Sequence, residues 1–172
     1  MTRTEYDVVA LGELLIDFTA QGAGADGYPL MAAHPGGAPA NFLAVLARYG
    51  LKTALLAKVG NDAFGRLLRR TVEREGIDTA GVVVDDAAFT TLAFVTLDEN
   101  GERDFSFARK PGADMLLRYD ELDLSLIDRT RVFHFGSVSM TDEPSRDATR
   151  RAAAYARSRG GLLTYCLLYT SP

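Results

Sequence analysis

The segment Pro35-Gly36-Gly37-Ala38-Pro39-Ala40-Asn41-Phe42 places two glycines directly before a predicted helix. Pro39 suits the first helical turn, apolar residues then recur at helical spacing, and Gly50 is placed to end the helix. Glycines let a ligand approach the backbone closely, and the free N–H groups of the first turn should point back over them. The Asn41 amide can both donate and accept hydrogen bonds. The segment therefore fits a site for a polyhydroxylated ligand or an anion, and it fits equally well an ordinary helix start with Asn41 bonded locally.

The composition limits what the protein does. The chain has 172 residues, 47% hydrophobic and 24% charged, which is enough for one domain with a real core. A net charge of −4 and the lack of a basic run argue against nucleic-acid binding, and no apolar run or signal peptide predicts a membrane partner. The single cysteine, Cys166, fits a reducing, cytoplasmic location. His34 and His134 lie far apart, so we predict no metal site and interpret His134 as a strand residue.

Asp17 lies in an alternating segment near the amino terminus. After a buried strand over Tyr6–Leu11, the pattern predicts a half-buried strand with Asp17 on the face opposite its apolar residues. Its carboxylate could accept two hydroxyl hydrogen bonds, although an ordinary solvated strand residue is the favoured interpretation from the pattern alone. Residues 22–27 match G-x-G-x-x-G, but the following Tyr28-Pro29 excludes the helix that a dinucleotide site needs.

Strands and helices alternate through much of the chain. A strand at Thr53–Val59 precedes a helix that Asp62 can cap and Gly76 can end. Such alternation predicts an α/β fold with a parallel sheet and right-handed crossovers. The pattern continues with a short helical turn, a strand, a helix and a strand at Leu124–Asp128, Val132–Val138, about Pro144–Arg159 (capped by Thr141 or Asp142) and Leu162–Thr164.

The intervening segment has a different character. Gly81–Val84, Thr91–Asp98 and Glu102–Phe107 are all strand-like, and Asn100-Gly101 is a strong signal for a tight hairpin. An antiparallel hairpin inserted into this pattern indicates a lid. Arg109 follows it as a possible clamp for a charged or hydroxylated ligand, and an exposed loop arginine explains it as well.

Five blocks of sequence resemble one known family. They are Gly12-Glu13-Leu14-Leu15-Ile16-Asp17, Gly36-Gly37-Ala38-Pro39-Ala40-Asn41, Lys58-Val59-Gly60-Asn61-Asp62-Ala63-Phe64-Gly65, Arg109-Lys110-Pro111-Gly112-Ala113-Asp114 and Phe135-Gly136-Ser137-Val138-Ser139. In this order, they resemble the amino-terminal half of a ribokinase-like (PfkB-type) sugar kinase, most of all a fructokinase. The resemblance extends from Tyr6 to about Thr164.

The resemblance implies a ribokinase-like three-layer α/β fold with a central, mostly parallel sheet and a small β lid, whose strands lie within about 13–34 and 89–110. It implies transfer of the γ-phosphoryl group of ATP to a sugar hydroxyl with Mg²⁺, fructose being the expected sugar. The substrate-binding positions are Asp17, Gly36, Gly37 and Asn41, with Arg109 matched less closely because Ala108 replaces a common aromatic. Family lids often pair into homodimers. Other possible activities are those of 2-keto-3-deoxygluconate kinase, ribokinase and nucleoside kinase.

The family's catalytic Gly-Ala-Gly-Asp motif does not occur in this sequence, so no catalytic residue is assigned. Residues 1–164 are therefore expected to form the amino-terminal part of a single kinase domain, truncated after about its first half. Residues 165–172 replace an expected Asp-x-Asn-x-Arg segment and are interpreted as a non-native tail. On this view the ATP and Mg²⁺ sites lie mostly outside the chain. The isolated fragment should be inactive, and a non-catalytic sugar-binding module is the alternative.

Overall fold

A computed structural model of the chain describes residues 4–97 and 103–167. Two sheets and four α-helices make up this structure, together with short 3₁₀ turns. The strands are β1 (Tyr6–Leu11), β2 (Leu15–Ala23), β3 (Pro29–Gly36), β4 (Thr53–Gly60), β5 (Ile77–Asp78), β6 (Val82–Asp85), β7 (Leu92–Leu97), β8 (Arg103–Ala108), β9 (Thr130–Gly136) and β10 (Leu162–Cys166). The helices are α1 (Ala38–Arg48), α2 (Ala63–Arg74), α3 (Leu124–Asp128) and α4 (Ser145–Ser158).

The main sheet is parallel throughout its described part. Its strands follow the order β10-β9-β1-β4-β5, and β6 pairs with the later part of β4. Every residue of β4 is buried, and β1 is almost as deeply buried. Continuous apolar strands of this kind are typical of parallel sheets that are covered on both faces. The predicted parallel α/β architecture is therefore confirmed.

Helices cover both faces of the main sheet and give the structure three layers. Leu55 and Leu56, adjacent on β4, point to opposite faces because successive strand residues alternate. Leu55 packs with Leu43 of α1 and Leu68 of α2. Leu56 belongs to the opposite core, which contains Phe133 together with residues of α3 and α4. All five of these side chains are completely buried.

A second, smaller sheet forms the lid, in the order β3-β2-β7-β8. β2 pairs antiparallel with β3 and parallel with β7, and β7 pairs antiparallel with β8. The residue pattern of β3, taken alone, did not predict a strand, because Pro29 and Pro35 lie near its two ends. Proline is tolerated there since β3 is an edge strand. The predicted Asn100-Gly101 turn lies outside the described residues.

Helices α2 and α4 differ in how their first turns are capped. The Asp62 carboxylate caps α2 as predicted, and it accepts a hydrogen bond from Gly65 N at 2.8 Å. The predicted side-chain cap of α4 by Thr141 or Asp142 is wrong, because Pro144 directly precedes that helix and supplies no side-chain cap. Asp142 contributes only its backbone carbonyl, which accepts from Arg146 N at 2.8 Å.

Three further observations concern single segments. Residues 22–27 form the end of β2 and a turn into β3, so no helix follows the G-x-G-x-x-G match. His134 is a buried strand residue, as predicted, with Nδ1 2.9 Å from Thr164 Oγ1. β10 includes Tyr165 and Cys166, whereas residues 168–172 lie outside the described part. The interpretation of 165–172 as non-native stays a prediction.

Among the described helices, none has the length and apolar character needed to cross a bilayer.

Candidate functional site

The centre of the candidate site is the contact between Asp17 and Gly36, where β2 and β3 leave the main sheet. The strand register pairs Leu15 with Gly36 and Asp17 with His34. A Cβ atom on Gly36 would collide with Oδ2 of Asp17, so glycine is needed for the carboxylate to keep its place. Burial raises the pKa of Asp17, and the nearby His34 lowers it to a smaller extent. A partly desolvated carboxylate of this kind is a strong acceptor for hydroxyl groups.

A cavity of about 670 Å³ opens on the Asp17 side of the lid sheet. It is lined by Asp17, Thr19, Ala20, His34, Val95, Thr96 and Phe105. The lining combines a carboxylate, an imidazole and hydroxyl groups with an exposed aromatic ring. Few polar groups on a largely apolar wall are typical of sites for small molecules. This composition suits a hydroxylated ligand that presents polar edges and an apolar ring face.

The start of α1 adjoins this contact but has fewer free donors than the sequence predicted. Gly37 precedes the helix with φ of 117°, a value that favours glycine. The Ala38 N–H donates to Glu13 Oε1 at 2.9 Å, and Pro39 has no N–H to offer. The Asn41 side chain is exposed, and it borders a second cavity of about 250 Å³ together with Gly36. An anion at this helix start would therefore lack the Ala38 N–H as a donor. A polyhydroxylated ligand could still use the Asn41 amide.

Arg109 does not line either of these two cavities. Its Nε donates to Asp114 Oδ2 at 2.8 Å, Nη1 donates to Thr141 Oγ1 at 3.1 Å, and Nη2 donates to the Val138 carbonyl at 3.3 Å. It borders a separate cavity of about 410 Å³ that includes Phe107. The structure thus brings Asp17 together with Gly36 and Gly36 with Asn41, but it does not bring Arg109 into their cavities. A ligand contact by Arg109 stays a prediction.

Sequence reasoning gave no role to two buried acids near the site. Asp114 is 5% exposed and accepts from Thr91 Oγ1 as well as from Arg109. Because Thr91 precedes β7 and Arg109 follows β8, Asp114 joins the two ends of the lid hairpin. Glu13 is 3% exposed and follows the end of β1. The signal that could have identified Glu13 is a carboxylate placed directly after a buried strand, where no solvated face is available.

Comparison with known proteins assigns the family. A family model described as pfkB family carbohydrate kinase matches residues 6–172. The chain belongs to the pfkB family of carbohydrate kinases. It is 48% identical over 160 residues to Fructokinase-1 from Zea mays, covering 92% of this chain and 50% of that protein. It is 46% identical to a probable fructokinase-3 from Arabidopsis thaliana, covering 46% of that protein. This member of the pfkB family therefore spans about half the length of the curated relatives it matches.

Solved structures confirm the ribokinase-like fold of this pfkB family member. A fructokinase from Xylella fastidiosa superposes with a TM-score of 0.90 at 35% identity, covering 95% of this chain and 50% of that one. A putative ribokinase II from E. coli, solved in complex with ATP and Mg²⁺, gives a TM-score of 0.85 at 29% identity and covers 94% of this chain and 52% of that one. Within residues 4–97 and 103–167, no group of three or more His, Cys, Asp or Glu side chains is arranged to hold a metal ion.

Proposed function

We propose that this chain is the sugar-binding half of an ATP-dependent kinase that phosphorylates a hydroxyl of fructose. The observation that carries the proposal is the contact between the Asp17 carboxylate and Gly36 at the edge of a cavity with polar and aromatic lining. The similarity to fructokinases over nearly the whole chain supports the choice of sugar. The Mg²⁺ and ATP in the structure of the E. coli relative support the same co-substrates here.

Each proposed binding residue has a distinct task. Asp17 accepts hydrogen bonds from sugar hydroxyls, and Gly36 and Gly37 let the sugar approach the backbone. The Asn41 amide donates to and accepts from further hydroxyls. Arg109, which is held by its ion pair with Asp114, contacts the sugar from the lid side. When bound, ATP with Mg²⁺ supplies the phosphoryl group. The groups in this chain bind and orient the acceptor and exclude water from it.

Titration calorimetry of the chain with fructose tests the proposal. Asp17→Asn should weaken fructose binding about tenfold or more, because a charged acceptor of hydroxyl hydrogen bonds is lost. Asp26→Asn is the matched control, since Asp26 lies in the turn between β2 and β3, where its carboxylate accepts from Tyr28 N at 3.2 Å. Equal losses in the two variants would contradict the assignment of Asp17. Titration with ribose, 2-keto-3-deoxygluconate and a nucleoside distinguishes fructose from the other acceptors of the family.

We also propose that residues 1–164 are part of a longer kinase domain and that residues 165–172 are a non-native tail. The chain by itself should then produce no ADP from ATP in the presence of fructose and Mg²⁺. Measurable fructose-dependent ADP formation would contradict this. Sequencing the source gene past codon 164 tests the tail: a continuation into Asp-x-Asn-x-Arg and a later Gly-Ala-Gly-Asp motif is expected. A genuine stop codon after Pro172 would leave sugar binding as the activity to study.

We propose that the chain forms a homodimer through the lid and that the protein is cytoplasmic. Phe105 and Phe107 on β8 are 41% and 51% exposed, and their rings stack with centroids 6.1 Å apart. Exposed aromatic pairs on a sheet face are common at protein interfaces. Sedimentation of the chain should reveal a dimer, and Phe105→Ser with Phe107→Ser should produce a monomer. A wild-type chain that sediments as a monomer at all concentrations would contradict the dimer.

A further inference from the structure

Glu13 is a buried carboxylate that the proposed function leaves without a task. It follows Gly12 at the carboxyl end of β1, and its residue is 3% exposed. Its Oε1 accepts a hydrogen bond from Ala38 N at 2.9 Å, at the first residue of α1. Its second oxygen, Oε2, is buried and has no hydrogen-bond partner among the residues that the structure describes.

The unsatisfied oxygen of Glu13 should lower the stability of the folded protein. A buried carboxylate with only part of its hydrogen bonds satisfied destabilises the native state, whether the group is charged or neutral. Burial raises the pKa of Glu13 against the lowering effect of backbone hydrogen bonds, which include the one from Ala38. An apolar residue at this position would avoid the unsatisfied oxygen. Glu13 is therefore better explained by its effect on the neighbouring loop than by a contribution to stability.

The main chain and side chain of Glu13 together fix the start of α1. A Cβ on Gly37 would collide with the Glu13 carbonyl oxygen, so these two backbones are in close contact. Pro39 is held beside them, since a Cβ on Gly12 would lie 2.5 Å from Pro39 Cγ. The first turn of α1 is thereby seated against the end of β1, next to the contact between Asp17 and Gly36.

The Ala38 N–H is also the donor that an anion would use. The first N–H groups of a helix lack intrahelical partners and readily bind phosphate or carboxylate groups. In this chain the Glu13 carboxylate already occupies that position. A phosphate on an incoming sugar would have to displace a side chain that is covalently attached and already desolvated.

We propose that Glu13 is a positioning and selecting residue, which orients the start of α1 and restricts the neighbouring site to unphosphorylated sugars. The inference rests on the proposed sugar-binding function. The N–H group of Ala38 is already occupied by the carboxylate of Glu13. Removal of that carboxylate should weaken binding of the neutral sugar and should open the helix start to small anions.

The experiment follows the Ala38 amide signal of the ¹⁵N-labelled chain by NMR, with inorganic phosphate, acetate and fructose as separate probes. In the wild type, phosphate should not shift the Ala38 signal. In Glu13→Ala, phosphate or acetate should shift it, since acetate has the shape of the deleted group. Fructose affinity should fall about tenfold, which corresponds to the loss of one hydrogen bond, and acetate should restore part of it. Sodium chloride at equal ionic strength is the control for acetate.

Conservative and distant variants complete the design. Glu13→Gln keeps an oxygen of the same reach, so its fructose affinity and Ala38 signal should stay close to those of the wild type. Glu5→Ala is the distant control and should change neither. A wild-type Ala38 signal that responds to phosphate, or a folded Glu13→Ala that binds fructose normally and ignores both anions, would overturn the inference. If Glu13→Ala does not fold, the wild-type phosphate titration and the retained affinity of Glu13→Gln decide the matter.

The outcomes separate this inference from the proposed function. If the wild type does not bind fructose but Glu13→Ala acquires an anion response at Ala38, the sugar assignment fails and the role of Glu13 at the helix start stands. If the wild type binds fructose and Glu13→Ala shows neither weaker binding nor an anion response, the sugar assignment stands and the role of Glu13 fails.

Discussion

β4 of the main sheet and β2 of the lid sheet are built in different ways. Every residue of β4 is buried, whereas β2 is buried only at Leu15 and Ile16 and becomes exposed toward Ala23. The main sheet therefore carries most of the apolar burial that stabilises the fold. The lid sheet keeps one face open, and that face holds Asp17 and the largest of the cavities described above. We infer that stability resides mainly in the main sheet and recognition mainly in the lid, and the following predictions test this division.

The largest difference is expected between two phenylalanines on the two sheets. Phe133 of β9 is fully buried, whereas Phe105 of β8 is 41% exposed. Phe133→Ala should lower the free energy of unfolding by about 3–5 kcal/mol, because it leaves a cavity in the core. Phe105→Ala should lower it by less than about 1 kcal/mol. Urea denaturation of both variants measures the difference, and similar losses would show that the lid is part of the same stability core.

The second prediction concerns a charge inside the main layer. Lys58 of β4 is 5% exposed and pairs with Asp85 at 2.9 Å and with Glu121 at 2.7 Å. Lys58→Met should lower the free energy of unfolding by about 3 kcal/mol, since it leaves two carboxylates without their cation. Lys52→Met is the matched control, because Lys52 is exposed and should change the value by less than about 0.5 kcal/mol. Chemical denaturation of the two variants measures both changes. If Lys58→Met left the free energy of unfolding unchanged, the ion pairs of Lys58 would contribute no net stability.

A smaller effect is expected from the two aspartates that were both predicted as helix caps. Asp62 accepts hydrogen bonds from Gly65 N and from Thr90 N, the latter at 2.7 Å, and so ties α2 to the start of the lid hairpin. Asp62→Ala should cost about 1–2 kcal/mol of stability. Asp142→Ala should cost less than about 0.5 kcal/mol, because its carboxylate does not cap α4 and its ion pair with Arg109 is long, at 3.7 Å. Thermal unfolding of both variants measures the two losses of stability. A larger loss in Asp142→Ala than in Asp62→Ala would contradict the prediction.

The sequence predicted the main sheet better than the site, for physical reasons. Buried parallel strands such as Thr53–Gly60 are continuous apolar runs, and a cap such as Asp62 has a local signature. The edge strand β3 has no such run, and its pairing with β2 depends on the register and on the contact between Gly36 and Asp17. The hydrogen bond that Glu13 accepts from Ala38 of α1 could not be predicted either, because the two residues are 25 positions apart in the chain. Local patterns describe elements, whereas the site depends on contacts between elements.

The smallest effect, and the sharpest test of the division, compares two aspartates of opposite behaviour. The hydrogen bond from Lys58 is the main cause that lowers the pKa of Asp85 below its ordinary value of 3.8, whereas burial raises the pKa of Asp17 above that value. A lowered carboxyl pKa gives stability that is present above pH 3.8 and is lost as the pH falls through the folded pKa. A raised pKa has the reverse sign: the folded state keeps its proton longer, so stability falls as the pH rises from 3.8 through the folded pKa.

Neutral asparagine should therefore act in opposite directions at the two positions. At pH 7, Asp17→Asn should raise the free energy of unfolding by about 0.5–1 kcal/mol, because the neutral amide avoids burying a charge, and removing a functional group commonly gains stability in this way. Asp85→Asn should lower it at the same pH, since Lys58 then loses a partner. Both differences should shrink as the pH falls toward 3, because the wild-type carboxyls then begin to take up protons. Urea denaturation from pH 3 to pH 7 measures the two curves. If Asp17→Asn were destabilising at pH 7, the lid carboxylate would be a structural group like Asp85, and the assignment of recognition to the lid would lose its energetic support.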